Sequence, residues 1–408
     1  MSNKTAEREA LARRNRILAE AMHATPLKHR LRRGLLRAAA ALPPLPNQIY
    51  QPDGSERILL IRPDYMGDVL LTTPALLALR AALPQAELHA LVGPWSAEVI
   101  ASYPQIDLTL TVPFPAFSRA PKQNWRSPYE LVLSTARQLR IIGYSAAVIF
   151  RPDHWWGALL AKLAGIPLRI GYALPDVAPF LTDALNPEPQ HALLQNLKLV
   201  ERWTGTIAPA AAVYDFPLDD DDRGYINGYL EEWDIRREQR LLVIHAGSGA
   251  ALKNWPDERW AAVADTLAGQ LESPVVLTGS DHELATARNI AGRMKERAIV
   301  MAGDTRVGQL AALFARARVV LGPDSGPLHL AAAVGTPTVA LFGPADPAEF
   351  GTWGSPPKHF ILTSSIACRP CRLMNWQNDA LENHPCVRDI TVGQVLEAAR
   401  RAAHWDKG

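Results

Sequence analysis

The amino-acid sequence predicts an α/β fold built from two doubly wound, Rossmann-like halves. Three observations lead there. From residue 57 onward, short apolar runs alternate with stretches of helical periodicity. The runs are apolar throughout rather than every second residue, as strands of a parallel sheet covered on both faces require. The alternation breaks once, at the Pro/Asp-rich "FPLDDDD" of residues 216–222, and then restarts.

The elements follow in order. Residues 1–56 are a basic helical extension and linker. Within 1–42, ten basic residues face only Glu7, Glu9 and Glu20, a net +7 in a chain of net +2. "LKHRLRRGLLRAAAAL" reads as a basic helix with leucines on one side, suited to an anionic membrane surface or to packing on a domain. "LPPLPNQIYQPDGSE" (42–56) reads as a linker. Residues 57–215 form the first half. Its strands are "RILLIRP", "ELHALVG", "DLTLTVP", "SAAVIF" and "LRIGY", and its helices open at Thr73-Pro74 and Ser127-Pro128. Residues 216–390 form the second half, with strands "RLLVIHA", "PVVLTG", "AIVMAG", "RVVLG" and "TPTVALFG". The stretch 343–390 reads as irregular, and a last helix lies in 391–408.

Bulk properties exclude several classes. The 408 residues suit two or three domains, and 48% hydrophobic with 21% charged residues suits large buried cores. No apolar run reaches bilayer-spanning length, and the N-terminus lacks the apolar core of a secretory leader. Three cysteines make no disulfide framework. These features point to the cytoplasm.

In open parallel sheets ligands bind at the carboxyl ends of strands, so four loops after strands matter. In "RPDYMGDVLLTTP" (62–74), Asp68 stands either as a helix cap or as a general base for a hydroxyl. In "HAGSGAALKNWP" (245–256), small residues and Lys253 precede a helix, an arrangement suited to phosphate. Leu252 takes the third glycine position of the dinucleotide fingerprint, which disfavours a dehydrogenase, and no Walker Gly-Lys-Ser/Thr follows. In "TGSDHE" (278–283), Asp281 or Glu283 could bind ribose hydroxyls, or Asp281 could cap. In "PDSGPLHLAAAVGTP" (323–337), Asp324 and Ser325 follow a strand, Gly326 lets a ligand approach the backbone, and a helix is expected over 327–334. Capping competes there with sugar and diphosphate binding.

Together these loops resemble the lipopolysaccharide heptosyltransferases, glycosyltransferase family 9. The resemblance runs from about residue 57 to the C-terminus. It rests on "ILLIRPDYMGDVLLTTPAL", "VIHAGSGAALKNWPDERWAAVA" and "GPDSGPLHLAAAVGTPTVALFGPADP". It implies the GT-B fold: two Rossmann-like domains facing across a cleft, the first binding acceptor and the second nucleotide-sugar. The last helix would return to the first domain. Asp68 would be the general base of an inverting transfer from ADP-heptose. Lys253 and the Ser248–Gly249 amides would stabilise the ADP leaving group, with no metal or other cofactor required. Asp281 would contact the ribose, Asp324 and Ser325 the sugar end, and Gly326 and His329 would line the donor pocket. The acceptor would be a Kdo- or heptose-bearing lipid A core, met by Arg119, Lys122 and Arg126. The enzyme would work in the cytoplasm, on the cytoplasmic face of the inner membrane if residues 1–42 touch lipid; no nucleic acid is implied.

Some features stand apart from that pattern. Cys368, Cys371 and Cys386, with His384 nearby, leave a metal site open as an alternative to free thiols. "RPDHWWG" (151–157) puts two tryptophans on the acceptor side, as sugar-stacking rings or as packing. Competing functions are a related transferase with another nucleotide-sugar or a protein acceptor, a sugar-nucleotide epimerase, and a non-catalytic sugar-nucleotide binder.

Overall fold

The computed structural model describes residues 3–23, parts of 33–43, 56–118, 124, 126–374 and 380–404. The chain divides into two compact units, residues 25–214 and residues 1–24 with 215–408. Each is built on one parallel six-stranded sheet.

In the N-terminal unit the strands are β1 (Arg57–Arg62), β2 (Glu87–Val92), β3 (Leu108–Thr111), β4 (Ala146–Ile149), β5 (Leu168–Tyr172) and β6 (Asp183–Leu185), in sheet order β3-β2-β1-β4-β5-β6. In the C-terminal unit they are β7 (Leu241–His245), β8 (Val275–Thr278), β9 (Ala298–Val300), β10 (Ala317–Pro323), β11 (Thr338–Phe342) and β12 (His359–Thr363). Their order is β12-β11-β10-β7-β8-β9. Read from its third strand, each sheet runs 3-2-1-4-5-6, so chain direction across the sheet reverses once, between the first and fourth strands. These reversals lie between β1 and β4 and between β7 and β10. The helices that follow those four strands start at the same two places.

The apolar runs explain the cores. Leu59, Ile61, Ile149, Phe114 and Leu160 close the N-terminal core. Ile244, Leu277, Leu321 and Leu341 close the other with Trp255 and Trp260, whose rings meet edge-on at 4.9 Å.

Three expectations need correction. First, β6 and β12 exist where no strand is predicted, and β12 lies inside the stretch read as irregular. Both are edge strands and only partly buried; β6 has three residues, whereas β12 has five, as many as β7 and β11. Second, the last helix, Val392–Ala403, packs in the C-terminal unit rather than returning to the first domain. Val395, Ala398, Ala399 and Ala402 join the core around β10 and β11, which leaves that face nothing to offer elsewhere. Third, residues 1–56 are not one extension. The helix Asn3–His23 belongs to the C-terminal unit, where Asn15 Nδ2 donates to the Asn383 carbonyl at 2.7 Å and Arg16 to the Ala367 carbonyl at 2.7 Å. Arg8 pairs with Asp389 at 2.8 Å. Leu36 is buried in the N-terminal core, and Arg33 pairs with Asp176 at 2.6 Å. Arg8, Arg16 and Arg33 thus meet protein partners, whereas Arg13, Arg14 and Arg37 are exposed.

Ala399 is fully buried. An Ala399→Asp substitution places an unpaired carboxylate in the C-terminal core and should cost several kcal/mol, about 3 or more. A calorimetric scan should show a lowered unfolding transition, while an unchanged scan would contradict this placement of the last helix.

Candidate functional site

The β7/β10 reversal gathers the second, third and fourth of the candidate loops, and backbone proximity there is enforced. A Cβ on Gly322 of β10 would lie 2.5 Å from the His245 carbonyl of β7, so no larger residue fits without moving a strand. Lys253 comes from the helical turn Ala251–Lys253, and Asp324 follows β10. Lys253 Nζ sits 2.7 Å from Asp324 Oδ2 and 3.2 Å from the Asp324 carbonyl. The two residues predicted to hold phosphate and sugar are therefore ion-paired.

Beside them the helix Gly326–Ala333 begins without a side-chain cap. The Ser325 backbone is extended, and its buried hydroxyl has no hydrogen-bond partner. This decides the capping question at this loop. Neither Asp324 nor Ser325 caps the helix; Pro327 carries no N–H and the Leu328 amide donates to the Ser325 carbonyl at 3.2 Å, so the Gly326 amide and the Ser325 hydroxyl are the groups open to a ligand. Gly326 opens the helix, and His329 is buried within it.

The loop 246–250 is braced from inside. The Ser248 hydroxyl sits 2.7 Å from Asn254 Oδ1 and 2.9 Å from the Ala250 carbonyl. It organises the turn, while a Cβ on Gly249 would meet only open space. A Cβ on Gly247 would overlap the Glu283 carboxyl. Glu283 Oε2 accepts from the Ser280 amide at 2.7 Å and from its hydroxyl at 2.8 Å. Ser280 and Glu283 therefore close the start of the turn Asp281–Glu283, and Asp281 does not cap it. Asp281 is exposed, its carboxyl lying against Gly303 beyond β9. Behind the loop, His245 Nδ1 is 3.1 Å from Thr278 Oγ1, and Nε2 is 3.8 Å from Glu283 Oε2. Burial lowers the His245 pKa, so its ring is neutral at neutral pH.

The β1/β4 reversal carries a second constellation. Asp68 lies in the short helix Met66–Leu70, 3.2 Å from Arg62 Nη2. Arg62 Nε is 2.8 Å from Asp64 Oδ2, and Arg62 Nη1 donates to Asn196 Oδ1 at 3.3 Å. Arg151, just after β4, bonds Asp64 through Nη1 and Asp153 through Nε at 2.5 Å. Burial alone would raise the Asp64 pKa, but Arg62 and Arg151 overcome it and hold the carboxyl below its usual range. Next to this network His154 is 5% exposed, with no partner on either ring nitrogen. Its ring packs against Phe114, Phe117 and Trp156 at 5.1, 6.0 and 6.3 Å. Trp156 is thus buried packing, its Nε1 donating to the Pro128 carbonyl at 3.0 Å.

Arg62, Asp64, Arg151 and His154 are functional candidates that motif reading missed. A signal was present: "RPD" occurs twice, at 62–64 and 151–153, each time directly after a strand. Of the predicted acceptor residues, Arg126 is exposed at the head of the helix Ser127–Ile142, its amide donating to Asn124 Oδ1 at 2.8 Å. Arg119 and Lys122 lie outside the described residues.

Cys368, Cys371, Cys386 and His384 line one small cavity with Asn15 of the N-terminal helix. Among the described residues, no three His, Cys, Asp or Glu side chains are grouped to hold a metal ion. Burial raises the thiols of Cys368 and Cys386, the latter to about 11.

Comparison with known proteins identifies the family. The sequence pattern of glycosyltransferase family 9 (heptosyltransferase) matches residues 132–381. The chain belongs to that family. It is 28% identical over 302 residues to lipopolysaccharide heptosyltransferase 3 of Escherichia coli K12, covering 71% of this chain and 83% of that one. A family 9 glycosyltransferase structure from Veillonella parvula superposes with TM-score 0.71 at 24% identity, covering 85% of this chain and 97% of that one. The E. coli ADP-heptose lipopolysaccharide heptosyltransferase II structure gives TM-score 0.67 at 20% identity, covering 86% and 100%. The fold is therefore GT-B. Like its family, the chain is a glycosyltransferase; among its described helices, none is long and apolar enough to cross a membrane.

Burial moves the His154 pKa from 6.5 down to about 3. Between those values the unfolded chain binds a proton that the folded chain does not. Stability should therefore fall as pH drops from about 6.5 towards about 3, by ~1.4 kcal/mol per unit from this residue. Denaturant titrations should show that His154→Leu removes this share, about 2 kcal/mol of pH dependence between pH 6.5 and about pH 5. An equal slope in both proteins would contradict the buried neutral ring.

Proposed function

We propose that the chain transfers a heptose from ADP-heptose to a hydroxyl of a lipopolysaccharide-core saccharide, with inversion and without a metal. The observation that carries this reading is the Lys253–Asp324 pair beside an uncapped helix start and a partnerless Ser325 hydroxyl. Lysine and free amides suit a diphosphate; a carboxylate and a hydroxyl suit sugar hydroxyls. Membership of a heptosyltransferase family narrows the sugar.

The chemistry follows from the groups present. The acceptor oxygen attacks the anomeric carbon as the bond from that carbon to the β-phosphate oxygen breaks. Asp68 takes the hydroxyl proton, its carboxylate oriented by Arg62. Charge grows on the departing ADP, where Lys253 and the amides of Ser248 and Gly249 receive it. Lys253 has three donors, so it can keep Asp324 while binding phosphate. Asp281 serves the ribose, with Gly326 and His329 lining the donor pocket. Arg119, Lys122 and Arg126 meet the anionic acceptor.

Incubation with ADP-heptose and core acceptors, read by mass spectrometry, should show a heptose mass added. Calorimetric binding of a UDP-sugar alone would overturn the donor assignment. Asp68→Ala should lower kcat by roughly 10²–10⁴ with little change in donor Kd. Lys253→Ala should lower kcat by about 10²–10³ and weaken ADP binding. A chelator should leave the rate unchanged; loss of turnover in EDTA, restored by added metal, would show that the diphosphate charge is met otherwise.

A further inference from the structure

At the carboxyl ends of the N-terminal strands one aromatic ring stands outward and is held still. Tyr65 follows β1 and is 41% exposed. Its hydroxyl donates to the Phe117 carbonyl at 2.6 Å, and its ring lies against Trp95 with 5.6 Å between centroids. Trp95 is itself pinned, its Nε1 donating to the Pro63 and Asp64 carbonyls at 3.2 and 3.0 Å. The indole covers Gly93, where any Cβ would overlap the ring. The loops after β1, β2 and β3 thus share the fixing of one ring. The Arg151 guanidinium lies 5.0 Å from the centroid of the Phe117 ring, which ties this shelf to the Asp64 network. A tyrosine fixed at its hydroxyl and along one side has little rotamer freedom left to lose on binding. The tryptophans of "RPDHWWG" offer no such ring: Trp156 is buried, and Trp155 packs on the core.

We infer that the Tyr65 ring is a stacking platform for an uncharged pyranose of the acceptor. This rests on the proposed function and deepens it by naming a sugar subsite. Tyr65 flanks the helix Met66–Leu70, and Asp68 is the third residue of that helix, so one turn of chain carries both the ring and the proposed base. A pyranose presents a face of C–H bonds, which packs on an aromatic face, and a rim of hydroxyls, which needs polar partners. Such a partner is at hand. Asp153, with a side chain 62% exposed, accepts from Arg151 Nε at 2.5 Å and Nη2 at 3.3 Å and keeps lone pairs for hydroxyl donors. Charge selects the ring. Arg62 is shared by Asp64 and Asp68, and Arg151 by Asp64 and Asp153, so three carboxylates face two arginines. That balance disfavours a carboxylate or phosphate on the stacked sugar and suits a neutral one. Anionic groups elsewhere on the acceptor fall to Arg119, Lys122 and Arg126.

The test uses the full chain and two deacylated core oligosaccharides, one ending in heptose and one in Kdo, with ADP in place of the donor so that no transfer occurs. Affinity is read by calorimetry, and the stacked protons by saturation-transfer NMR. Wild type should bind the heptose-ended oligosaccharide more tightly, with the strongest saturation on the C–H protons of its terminal ring. Tyr65→Leu keeps apolar bulk and loses the ring, and its Kd should rise about tenfold or more. Tyr65→Phe keeps the ring and loses the bond to Phe117, and its Kd should stay within about threefold of wild type. If Tyr65→Leu misfolds by circular dichroism, Tyr65→Met takes its place. Four results would each overturn the inference: no binding of the heptose-ended oligosaccharide, tighter binding of the Kdo-ended one, an unchanged Kd in Tyr65→Leu, or an equal loss in Tyr65→Phe, which would assign the tyrosine to bracing the loops. The transfer reading fails separately: binding through Tyr65 with no heptose mass added once ADP-heptose is supplied would overturn that reading alone.

Discussion

Everything functional in this chain depends on one topological constraint, the single reversal of strand order in each sheet. Helices that start on opposite sides of a parallel sheet diverge at that point and leave a gap at the strand ends. The loops after β7 and β10 border one gap, and those after β1 and β4 border the other. Lys253 and Asp324 are 71 residues apart in sequence yet meet at 2.7 Å because their strands are neighbours there. Asp64 and Arg151 meet at the other gap for the same reason.

The two gaps handle charge differently. The C-terminal one is sparsely charged, with a lysine, a carboxylate, a free hydroxyl and backbone amides. The N-terminal one packs two arginines and three carboxylates into a linked network around a nearly buried Asp64. Such a network is a weak source of stability, since desolvation offsets much of the attraction. Its value is geometric. Arg62 is fixed by Asp64 and Asn196, so the position of the Asp68 carboxylate it contacts is fixed as well. The loop after β7 achieves similar rigidity through Ser248–Asn254 and the Glu283 carboxyl beneath Gly247.

Much of this was legible in the chain. Ten of the twelve strands could be placed from their apolar runs; β6 and β12, edge strands that are only partly buried, could not. The loop after β7 could be singled out because glycine, serine and lysine directly after a strand suit an anion; its donor role belongs to the proposed function. The roles of Asp324 and Ser325 were ambiguous, because a cap and a ligand-binding group look alike until the hydrogen bonds are seen. The last helix shows the opposite limit: its apolar stripe announces burial but not the partner. Arg62, Asp64 and Arg151 escaped because ion pairing between loops is a property of strand neighbours, and only the repeated "RPD" hinted at it.

The contact between Lys253 and Asp324 has an implication for selectivity. Lys253 carries its own counterion in Asp324, so the pair is electrically balanced and has little pull on the small anions that crowd a cell. A simple phosphate could satisfy the lysine only by competing with the carboxylate. A ligand bearing both a diphosphate and adjoining hydroxyls satisfies lysine and carboxylate together. On the proposed function, the pair would distinguish an intact nucleotide-sugar from its charged fragments by requiring both halves to be answered at once.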